Sequence, residues 1–443
     1  MADREVLLKG GRVIDPANGV DATLDVLLAD GVIAAIGKKL EAPGGADVRD
    51  VTGLVVAPGL VDVHVHLREP GGEHRETIAS GAWAAAVGGF TSVCAMPNTD
   101  PPIDDPAAVG YVVAQGRRAG AARVYPVGAV SIGRKGERLT LVGEMVDAGA
   151  VGLSDDGLPV HDSGLMRLAL EYASTFGIPV ADHCEDRALS RSGSMHEGLV
   201  STRLGITGIP SAAENVMIAR DLFLAELTAG RIHIQHVSTR SGVEMIRAAK
   251  GRGVAVSAEA TPHHFTLTHE AVAGYRTEAK VNPPLRTAED REAVREGVRD
   301  GTLDCIATDH APHHYDEKEQ AFEDAPFGLV GLETALGLAI TELVDGGLID
   351  LPTLIERMST APARAFRLPG GTLSEGAAAD VVVFDPGEEW EVDPARFVSR
   401  SRNTPFAGRR LRGRARVTIV GGRIVWSTDL GVEHARKEAG RRG

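Results

Sequence analysis

The stretch LVDVHVHLREPG, residues 60–71, decides how the rest of the chain is interpreted. Its first half alternates valine with aspartate or histidine, which predicts a strand with apolar side chains on one face and polar side chains on the other. His64 and His66 are two residues apart and therefore share the polar face. Two inward imidazoles without a partner would be costly to desolvate, so the pattern indicates a strand that presents both rings to a metal ion.

Seven further apolar runs follow this strand, and a stretch rich in Ala, Leu, Glu and Arg comes after each run. The eight runs occupy residues 60–67, 90–97, 124–131, 150–156, 178–185, 231–238, 254–264 and 303–311. Strand–helix alternation is typical of parallel sheets, and eight such units predict an α/β fold, a (β/α)₈ barrel of the TIM type over residues 58–368. A doubly wound open sheet is the alternative, but neither a GxGxxG nor a GxxxxGK[ST] turn favours it.

The two ends of the chain have a different pattern from the middle. Residues 1–57 and 369–443 contain short apolar runs separated by Gly-Gly and Asp-Gly turns, which predict β-strands joined by tight turns. We expect both ends to form one small β-sandwich domain. Two unrelated β appendages are the alternative.

Composition limits the classes of partner. The 443 residues carry a formal net charge of −14, which argues against nucleic acid or an anionic membrane as the main partner. The three cysteines are sparse and widely spaced, as in a reduced cytosolic protein. The charged N-terminus MADREVLLKGG lacks the apolar core of a signal peptide, so the sequence predicts a cytoplasmic protein.

Polar residues lie near the carboxyl ends of the predicted strands, which converge on one mouth of a barrel. These residues are His64, His66, Asn98, Asp155, Asp156, His183, His236 and Asp309. Imidazoles and carboxylates are ligands of zinc and similar divalent ions. Since the last strand is adjacent to the first, Asp309 can reach the ion that the first strand binds. His183 and His236 lie across the mouth, so two metals with a carboxylate between them fit the set better than one.

The spacing leaves open whether Asp155 or Asp156 lies between the two metals. It predicts that His233 points at the helix layer and is structural. His263 and His264 are either structural or support the ligands, with nothing to favour one over the other. The remaining histidines are predicted to be surface or structural residues; they are His74, His161, His196, His269 and His434.

A set of longer motifs, spread from about residue 5 to residue 425, resembles those of a known protein family. They are DVHVHLREPG, AMPNTDPP, SDDG, DHCED, GIPSAAE, TPHHFTLT, KVNPPLR, ATDHAPH and APFGLVGLET. The chain resembles the cyclic amidohydrolase superfamily and, within it, the long bacterial form of the dihydroorotases. The DxHxH motif marks only the superfamily, whereas LREPG, NPPLR and ATDHAPH together narrow the likeness to dihydroorotase-like enzymes.

The resemblance implies two zinc ions per subunit. By motif position His64, His66 and Asp309 would bind one zinc, His183 and His236 would bind the other, and Asp156 would bridge them. Many relatives use a carboxylated lysine as the bridge, but this chain has no lysine between Lys135 and Lys250. The branch that it resembles uses an aspartate there, and the alignment to SDDG selects Asp156.

The activity that the resemblance implies is the interconversion of L-dihydroorotate and N-carbamoyl-L-aspartate in pyrimidine synthesis. A hydroxide that bridges the metals would be the nucleophile, since a metal lowers the pKa of its bound water from about 15.7 to about 7. Asp309 would act as general base and then as general acid. Arg68, two residues past His66, is placed to bind the substrate carboxylate by paired hydrogen bonds. The resemblance adds further substrate contacts at His66, Asn98, Asn282, His313, Phe327 and Gly328.

Two other functions remain open. One is an allantoinase or hydantoinase, which the missing bridging lysine and the arginine of LREPG argue against. The other is an inactive dihydroorotase-like scaffold for aspartate transcarbamoylase, although every expected ligand position is filled here. A homodimer and a complex with that transcarbamoylase are possible partners. Residues 311–327 are predicted to be either a lid over the mouth or a solvated connector.

Overall fold

The computed structural model describes residues 5–443; residues 1–4, the first part of the predicted small domain and of the charged N-terminal stretch, lie outside the described residues. The strands are β1 (Val6–Asp15), β2 (Val20–Ala29), β3 (Val32–Gly37), β4 (Asp47–Asp50), β5 (Val55–Pro58), β6 (Leu60–Val65), β7 (Phe90–Ala95), β8 (Arg123–Pro126), β9 (Val180–Asp182), β10 (Met195–His196), β11 (Gly208–Ile209), β12 (Ile232–Ile234), β13 (Val256–Ala260), β14 (Cys305–Ile306), β15 (Val381–Glu391), β16 (Arg410–Val420) and β17 (Arg423–Ser427).

The helices alternate with the strands through the middle of the chain. They are α1 (Ile78–Val87), α2 (Pro106–Ala119), α3 (Val142–Ala148), α4 (Ser163–Phe176), α5 (Arg187–Ser190), α6 (Leu199–Leu204), α7 (Ser211–Thr228), α8 (Arg240–Gly251), α9 (Pro262–Thr266), α10 (Ala288–Asp300), α11 (Tyr315–Lys318), α12 (Ala335–Ala339), α13 (Leu351–Ile355), α14 (Ala361–Phe366) and α15 (Gly431–Arg442). Side chains cap several of them, as Thr287 and Asp290 do at the start of α10.

The middle of the chain forms the predicted parallel barrel. Strands β6, β7 and β8 pair in parallel, and so do β9, β12, β13 and β14. Leu153 joins the two groups through single bridges to Gly128 and Val180, and Val65 pairs with His310 to close the ring. The (β/α)₈ fold is therefore confirmed. The fourth run is shorter than expected, because it contributes one bridge residue before the polar turn that starts at Ser154.

Strict alternation along β6 is wrong, and the reason is a bulge. The pairing between β6 and β7 shifts register between Asp62 and Val65. Val61 and Val63 pack with residues of the opposite strands, such as Ala181, inside the barrel. The bulge adds one residue to the strand and turns His64 toward the same interior. The valines thus form the floor beneath the histidines instead of the opposite face.

One sheet is built from both chain ends, as the sequence predicted. Its strand order is β17-β16-β15-β5-β1-β2-β3, and β4 pairs with β1. The junction is the antiparallel pair of β5 and β15, where Val56 faces Val383. Ile33 near one edge and Ile419 near the other belong to a single buried cluster. The strands therefore form one continuous sheet whose two flanks share a core.

Among the helices of residues 5–443, none has the length and hydrophobicity of a transmembrane segment. Cys94, Cys184 and Cys305 are all buried free thiols.

Candidate active site

The mouth of the barrel is a cavity of about 340 Å³ lined by nearly all of the residues singled out in the sequence. Those on its wall are His66, Arg68, Asn98, Asp156, His183, His236, Asn282, Asp309, His313, Phe327 and Gly328. His64 lies fully buried beneath them. Larger hollows occur elsewhere, such as a 940 Å³ groove near Lys9 and Lys38, but the residues lining that groove include no histidine.

Asp156 lies at the centre of the histidines. Its Oδ2 atom is 3.4 Å from Nε2 of His64 and 3.3 Å from Nε2 of His66. Its Oδ1 atom is 3.3 Å from Nδ1 of His183 and 3.5 Å from Nε2 of His236. Each carboxylate oxygen therefore faces one histidine pair, as a bridging ligand between two ions would. Asp155 is turned away and accepts hydrogen bonds from the backbone and hydroxyl of Ser131.

Asp309 completes one side of this arrangement. Its Oδ1 atom lies 3.0 Å from Nε2 of His66 and 3.5 Å from Nε2 of His64. The backbone has a positive φ of 48° at Asp309 and of 31° at His236. Such a conformation is uncommon for residues other than glycine and is found at functional sites. These turns at the ends of the strands aim both side chains into the cavity.

The donor set fits divalent metal ions. Nε2 of His64 and Oδ1 of Asp156 are buried and have no hydrogen-bond partner among residues 5–443. His64, His66 and Asp309 offer atoms within 4.8 Å of one another, and so do His64, Asp156 and His236. Buried polar atoms are rarely left without a partner, and neutral imidazole with carboxylate is a donor set typical of zinc. A cation between these atoms would satisfy them.

The other ring nitrogens are held by acceptors. Nδ1 of His66 lies 2.8 Å from Oδ1 of Asn98, and Nε2 of His183 lies 3.2 Å from Oε2 of Glu185. An acceptor on one nitrogen keeps the proton there and leaves the opposite nitrogen free to bind a metal. Asn98, predicted to contact substrate, therefore also orients the ring of His66.

The local charges favour ionised carboxylates. Burial opposes ionisation of Asp156, but His64 and the other histidines lower the pKa of its carboxyl well below the usual range. Burial has the same effect at Asp309, yet His64 and His66 lower its pKa to about 2. Conversely, burial disfavours a charged His183, while Asp156 and Glu185 raise its pKa to about 10. Metal binding needs neutral imidazoles and should therefore release protons.

Arg68 forms the outer wall of the cavity. It is buried, and its guanidinium contacts the carbonyl of Pro312 at 3.1 Å and Nε2 of His313 at 3.3 Å. No carboxylate lies within salt-bridge distance of it in the described chain. Burial, together with nearby Arg75, lowers the pKa of Arg68 to about 10, so the group stays charged near neutral pH. A buried cation without a counter-ion at the rim of a cavity is suited to an anionic group of a ligand.

The segment after β14 closes the far side of the cavity. His313 Nε2 lies 2.8 Å from the carbonyl of Phe327, and Asn282 Nδ2 donates to Glu185 Oε2 at 3.0 Å. Two buried lysines secure the segment, because Lys318 donates to the carbonyls of Pro326 and Gly328. Lys280 donates to those of Phe322 and Glu323. Residues 311–327 are therefore packed against the mouth; whether they move as a lid stays a prediction.

Sequence reasoning missed Glu259 and misplaced His233. Glu259 of β13 is fully buried and lies 2.5 Å from Nδ1 of His64. His233 points into the barrel, where its Nε2 atom is 3.0 Å from Glu259, and not at the helix layer. His233 was assigned to the wrong face of β12 because Ile234 and His236 were expected to share the inner face. In the structure Ile232 and Ile234 face the outer core, and His236 reaches the cavity because it adopts a positive φ just after the strand. A glutamate inside an apolar strand, VSAEA, was the available signal.

The adjacent histidines of α9 differ from each other. His264 lies 2.7 Å from the hydroxyl of Thr261 and 2.9 Å from the carbonyl of Pro283, which follows Asn282. It therefore supports the loop that carries Asn282. Both ring nitrogens of His263 are buried without a partner in the described part of the chain, and burial lowers its pKa to about 4.

A closed parallel barrel whose mouth gathers histidines and carboxylates is the arrangement of one class of metal-dependent hydrolases. The family described as dihydro-orotase-like matches residues 53–242, and the amidohydrolase family, which is metal-dependent, matches residues 225–426. The chain belongs to the dihydroorotase family of cyclic amide hydrolases. It is 56% identical to the dihydroorotase of Pelotomaculum thermopropionicum, over 95% of this chain and 98% of that protein. It is 55% identical to the dihydroorotase of Anaeromyxobacter sp. strain K, over 95% and 97% of the two chains.

Solved structures with the same fold carry other names. The L-hydantoinase of Arthrobacter aurescens has a TM-score of 0.85 and 28% identity, and the alignment covers 96% of each chain. The dihydropyrimidinase of Brevibacillus agri has a TM-score of 0.84 at 23% identity over 97% of each chain, which supports the fold alone. Identity to the dihydroorotases is about twice as high, so the sequence selects the family within a fold that several cyclic amidases share.

Proposed function

We propose that the chain opens L-dihydroorotate to N-carbamoyl-L-aspartate and closes it again, with two zinc ions bound at the mouth of the barrel. His64, His66 and Asp309 would hold one ion, His183 and His236 the other, with Asp156 shared between them. When bound, such ions polarise a carbonyl and lower the pKa of water at neutral pH. The donor geometry around Asp156 supports this assignment.

Asp309 is the group that moves the proton. In ring opening its carboxylate accepts a proton from the attacking water as the C–O bond forms at the ring carbonyl. It then donates that proton to the ring nitrogen as the C–N bond breaks. In ring closure it removes a proton from the attacking ureido nitrogen as the C–N bond forms. It then returns that proton to the carboxyl oxygen that departs as the C–O bond breaks. The low pKa of Asp309, caused chiefly by His64 and His66 against the effect of burial, keeps it in the basic form before each cycle.

The substrate is held by its carboxylate outside the reacting amide. Arg68 donates paired hydrogen bonds to that carboxylate, with Asn98 and His313 beside it. Asn282 and the backbone of Phe327 and Gly328 contact the ring from the far wall. His66 contacts the substrate between the residues that hold the carboxylate and those that contact the ring. The position of Arg68, charged and free of a protein carboxylate beside the donor cluster, is the observation that carries the proposal, because hydantoin-type substrates lack this carboxylate.

The test is turnover of L-dihydroorotate by the purified zinc-supplied protein, with hydantoin and allantoin measured in parallel. We expect turnover of dihydroorotate alone, two zinc ions per chain, and loss of activity after chelation that zinc restores. Bound zinc with turnover of hydantoin or allantoin would favour the corresponding amidase. Bound zinc without any turnover would favour a scaffold for aspartate transcarbamoylase.

A homodimer, a complex with aspartate transcarbamoylase and a cytoplasmic location also remain predictions. Size-exclusion chromatography with light scattering would give the mass of the particle. Mixing with the transcarbamoylase would reveal a complex as a shift in that mass.

A further inference from the structure

Glu259 is a buried charge that the proposed reaction does not use. Its side chain is fully buried inside the barrel, below the cavity wall. Burying a carboxylate is costly unless it is paired and hydrogen-bonded. The contacts that satisfy it therefore indicate what it does.

Both oxygens of Glu259 contact histidine residues. Oε1 lies 2.5 Å from Nδ1 of His64 and accepts a hydrogen bond from the backbone N–H of His236 at 3.0 Å. Oε2 lies 3.0 Å from Nε2 of His233, whose Nδ1 atom is 2.8 Å from the hydroxyl of Ser257. One carboxylate thus contacts a residue from each of the two proposed zinc sites.

An ionised carboxylate can only accept hydrogen bonds. The ring nitrogen of His64 that faces Glu259 must therefore carry the proton, which leaves Nε2 with its lone pair toward Asp156 and Asp309. That is the tautomer that binds a metal. The bond to His236 acts on the backbone where φ is 31°, so it helps to hold that side chain in the cavity.

We propose that Glu259 is a positioning residue that sets the tautomer of His64, fixes the backbone at His236 and thereby couples the two zinc sites. This inference rests on the proposed metal centre. His233 serves as the brace of Glu259, because it occupies the second oxygen and keeps the carboxylate from rotating.

The experiment compares zinc binding to metal-free protein for the parent and for Glu259→Gln, by competition with a chelating dye. The glutamine keeps the size of the side chain, removes its charge and replaces one acceptor oxygen with a donor. We expect zinc affinity to fall about 10- to 100-fold. The thermal midpoint of the metal-free parent and variant is measured alongside. It should change little, which would show that the loss of zinc affinity does not come from unfolding.

Glu333→Gln is the matched control. Glu333 is a partly buried glutamate that accepts hydrogen bonds from the backbone of Val398 and Ser399 and lies outside the cavity. The zinc affinity of the Glu333→Gln variant should equal that of the parent.

If Glu259→Gln does not fold, His233→Asn replaces it. The asparagine amide reaches the Nδ1 position near Ser257 but not the Nε2 position, so Glu259 loses its brace and keeps its charge. We then expect a smaller loss of affinity, about 3- to 10-fold, below the range for loss of the carboxylate itself. If the variant that folds, Glu259→Gln or its replacement His233→Asn, binds zinc within about twofold of the parent affinity, the inference is overturned. A parent protein that binds no zinc would overturn the proposed metal centre and this inference together.

Discussion

Within residues 5–443, two buried clusters of side chains that could bind a metal lie on either side of β9, and only one of them contains buried polar atoms without a hydrogen-bond partner. The mouth cluster consists of His64, His66, Asp156, His183, His236 and Asp309. The arginine-filled cluster consists of Asp182, Cys184, Asp221 and Arg220, and its three possible ligands also lie within 4.8 Å of one another. By residue type and distance alone, both clusters could hold a cation.

The arginine-filled cluster already contains its cation. Arg220 donates to Oδ1 of Asp221 at 2.6 Å and to Oδ2 of Asp182 at 3.3 Å, and Val160 N–H donates to Asp182. Burial raises the pKa of the Cys184 thiol, and burial with nearby Asp182 raises the pKa of Asp221 well above its usual range. A protonated thiol is a poor metal ligand, and both carboxyl groups already have Arg220 as their partner.

Arg68, which is buried, and Arg220, which is partly buried, show the same contrast. Arg220 has two carboxylate partners and therefore no capacity for a ligand. Arg68 has a carbonyl and an imidazole as partners, with no carboxylate within salt-bridge distance in residues 5–443. A cluster of suitable donors is therefore a site only where its atoms are left without partners in the protein itself.

The largest expected effect is on the reaction. Asp309→Ala should lower kcat/KM for L-dihydroorotate by about 10²- to 10⁴-fold, because the general base and acid is removed. Steady-state kinetics with zinc-supplied protein measures it. Asp221→Asn is the control, since Asp221 does not line the mouth cavity and asparagine keeps its size, and it should retain the parent rate. An Asp309→Ala protein that turns over at the parent rate would sink the acid–base assignment.

The next effect is on stability. Arg220→Met leaves the buried Asp182 and Asp221 without their cation and should lower the free energy of unfolding by about 3–5 kcal/mol. The urea midpoint of the metal-free protein reports it. Arg167→Met removes an exposed pair with Glu171 and should hardly move the midpoint. Equal midpoints for the two variants would show that Arg220 does not hold its cluster together.

A smaller effect should appear in substrate binding. Arg68→Met should raise KM for L-dihydroorotate about 10- to 100-fold, the loss expected for hydrogen bonds to a charged group. Zinc content should stay at the parent value, because Arg68 contacts Pro312 and His313, and neither is a proposed zinc ligand. An unchanged KM in a variant that retains its zinc would show that Arg68 does not bind the substrate carboxylate and so does not differ from Arg220 in this way.

The smallest effect is a change in pH dependence. Because the folded pKa of Asp221 is raised above 3.8, the folded state binds more protons than the unfolded state once the pH exceeds that value. This group therefore costs stability as the pH rises through that window. Asp221→Asn removes the cost, so the urea midpoint of this variant relative to the parent should increase as the pH rises above about 4. A constant difference would show that Asp221 ionises normally.

Much of the fold was predictable because the signals are local. Strand–helix alternation and the polar ends of the runs are short-range patterns, and they indicated the barrel and the convergence of its donors. The sheet from both chain ends followed from turn residues. The bulge in β6, the single bridge at Leu153 and the inward His233 were not predictable, since each depends on pairing with a neighbouring strand.

The sequence by itself determined the class of chemistry and the family, because residue types, their order and their spacing carry that information. It could not separate Asp155 from Asp156 without the resemblance, nor find the role of Glu259. Only the tertiary structure decided which donors have partners. Asp182 and His183 are adjacent in the chain, yet one faces Arg220 and the other faces Asp156. Successive side chains of a strand point to opposite sides, and what they meet there is set by residues far away in the sequence.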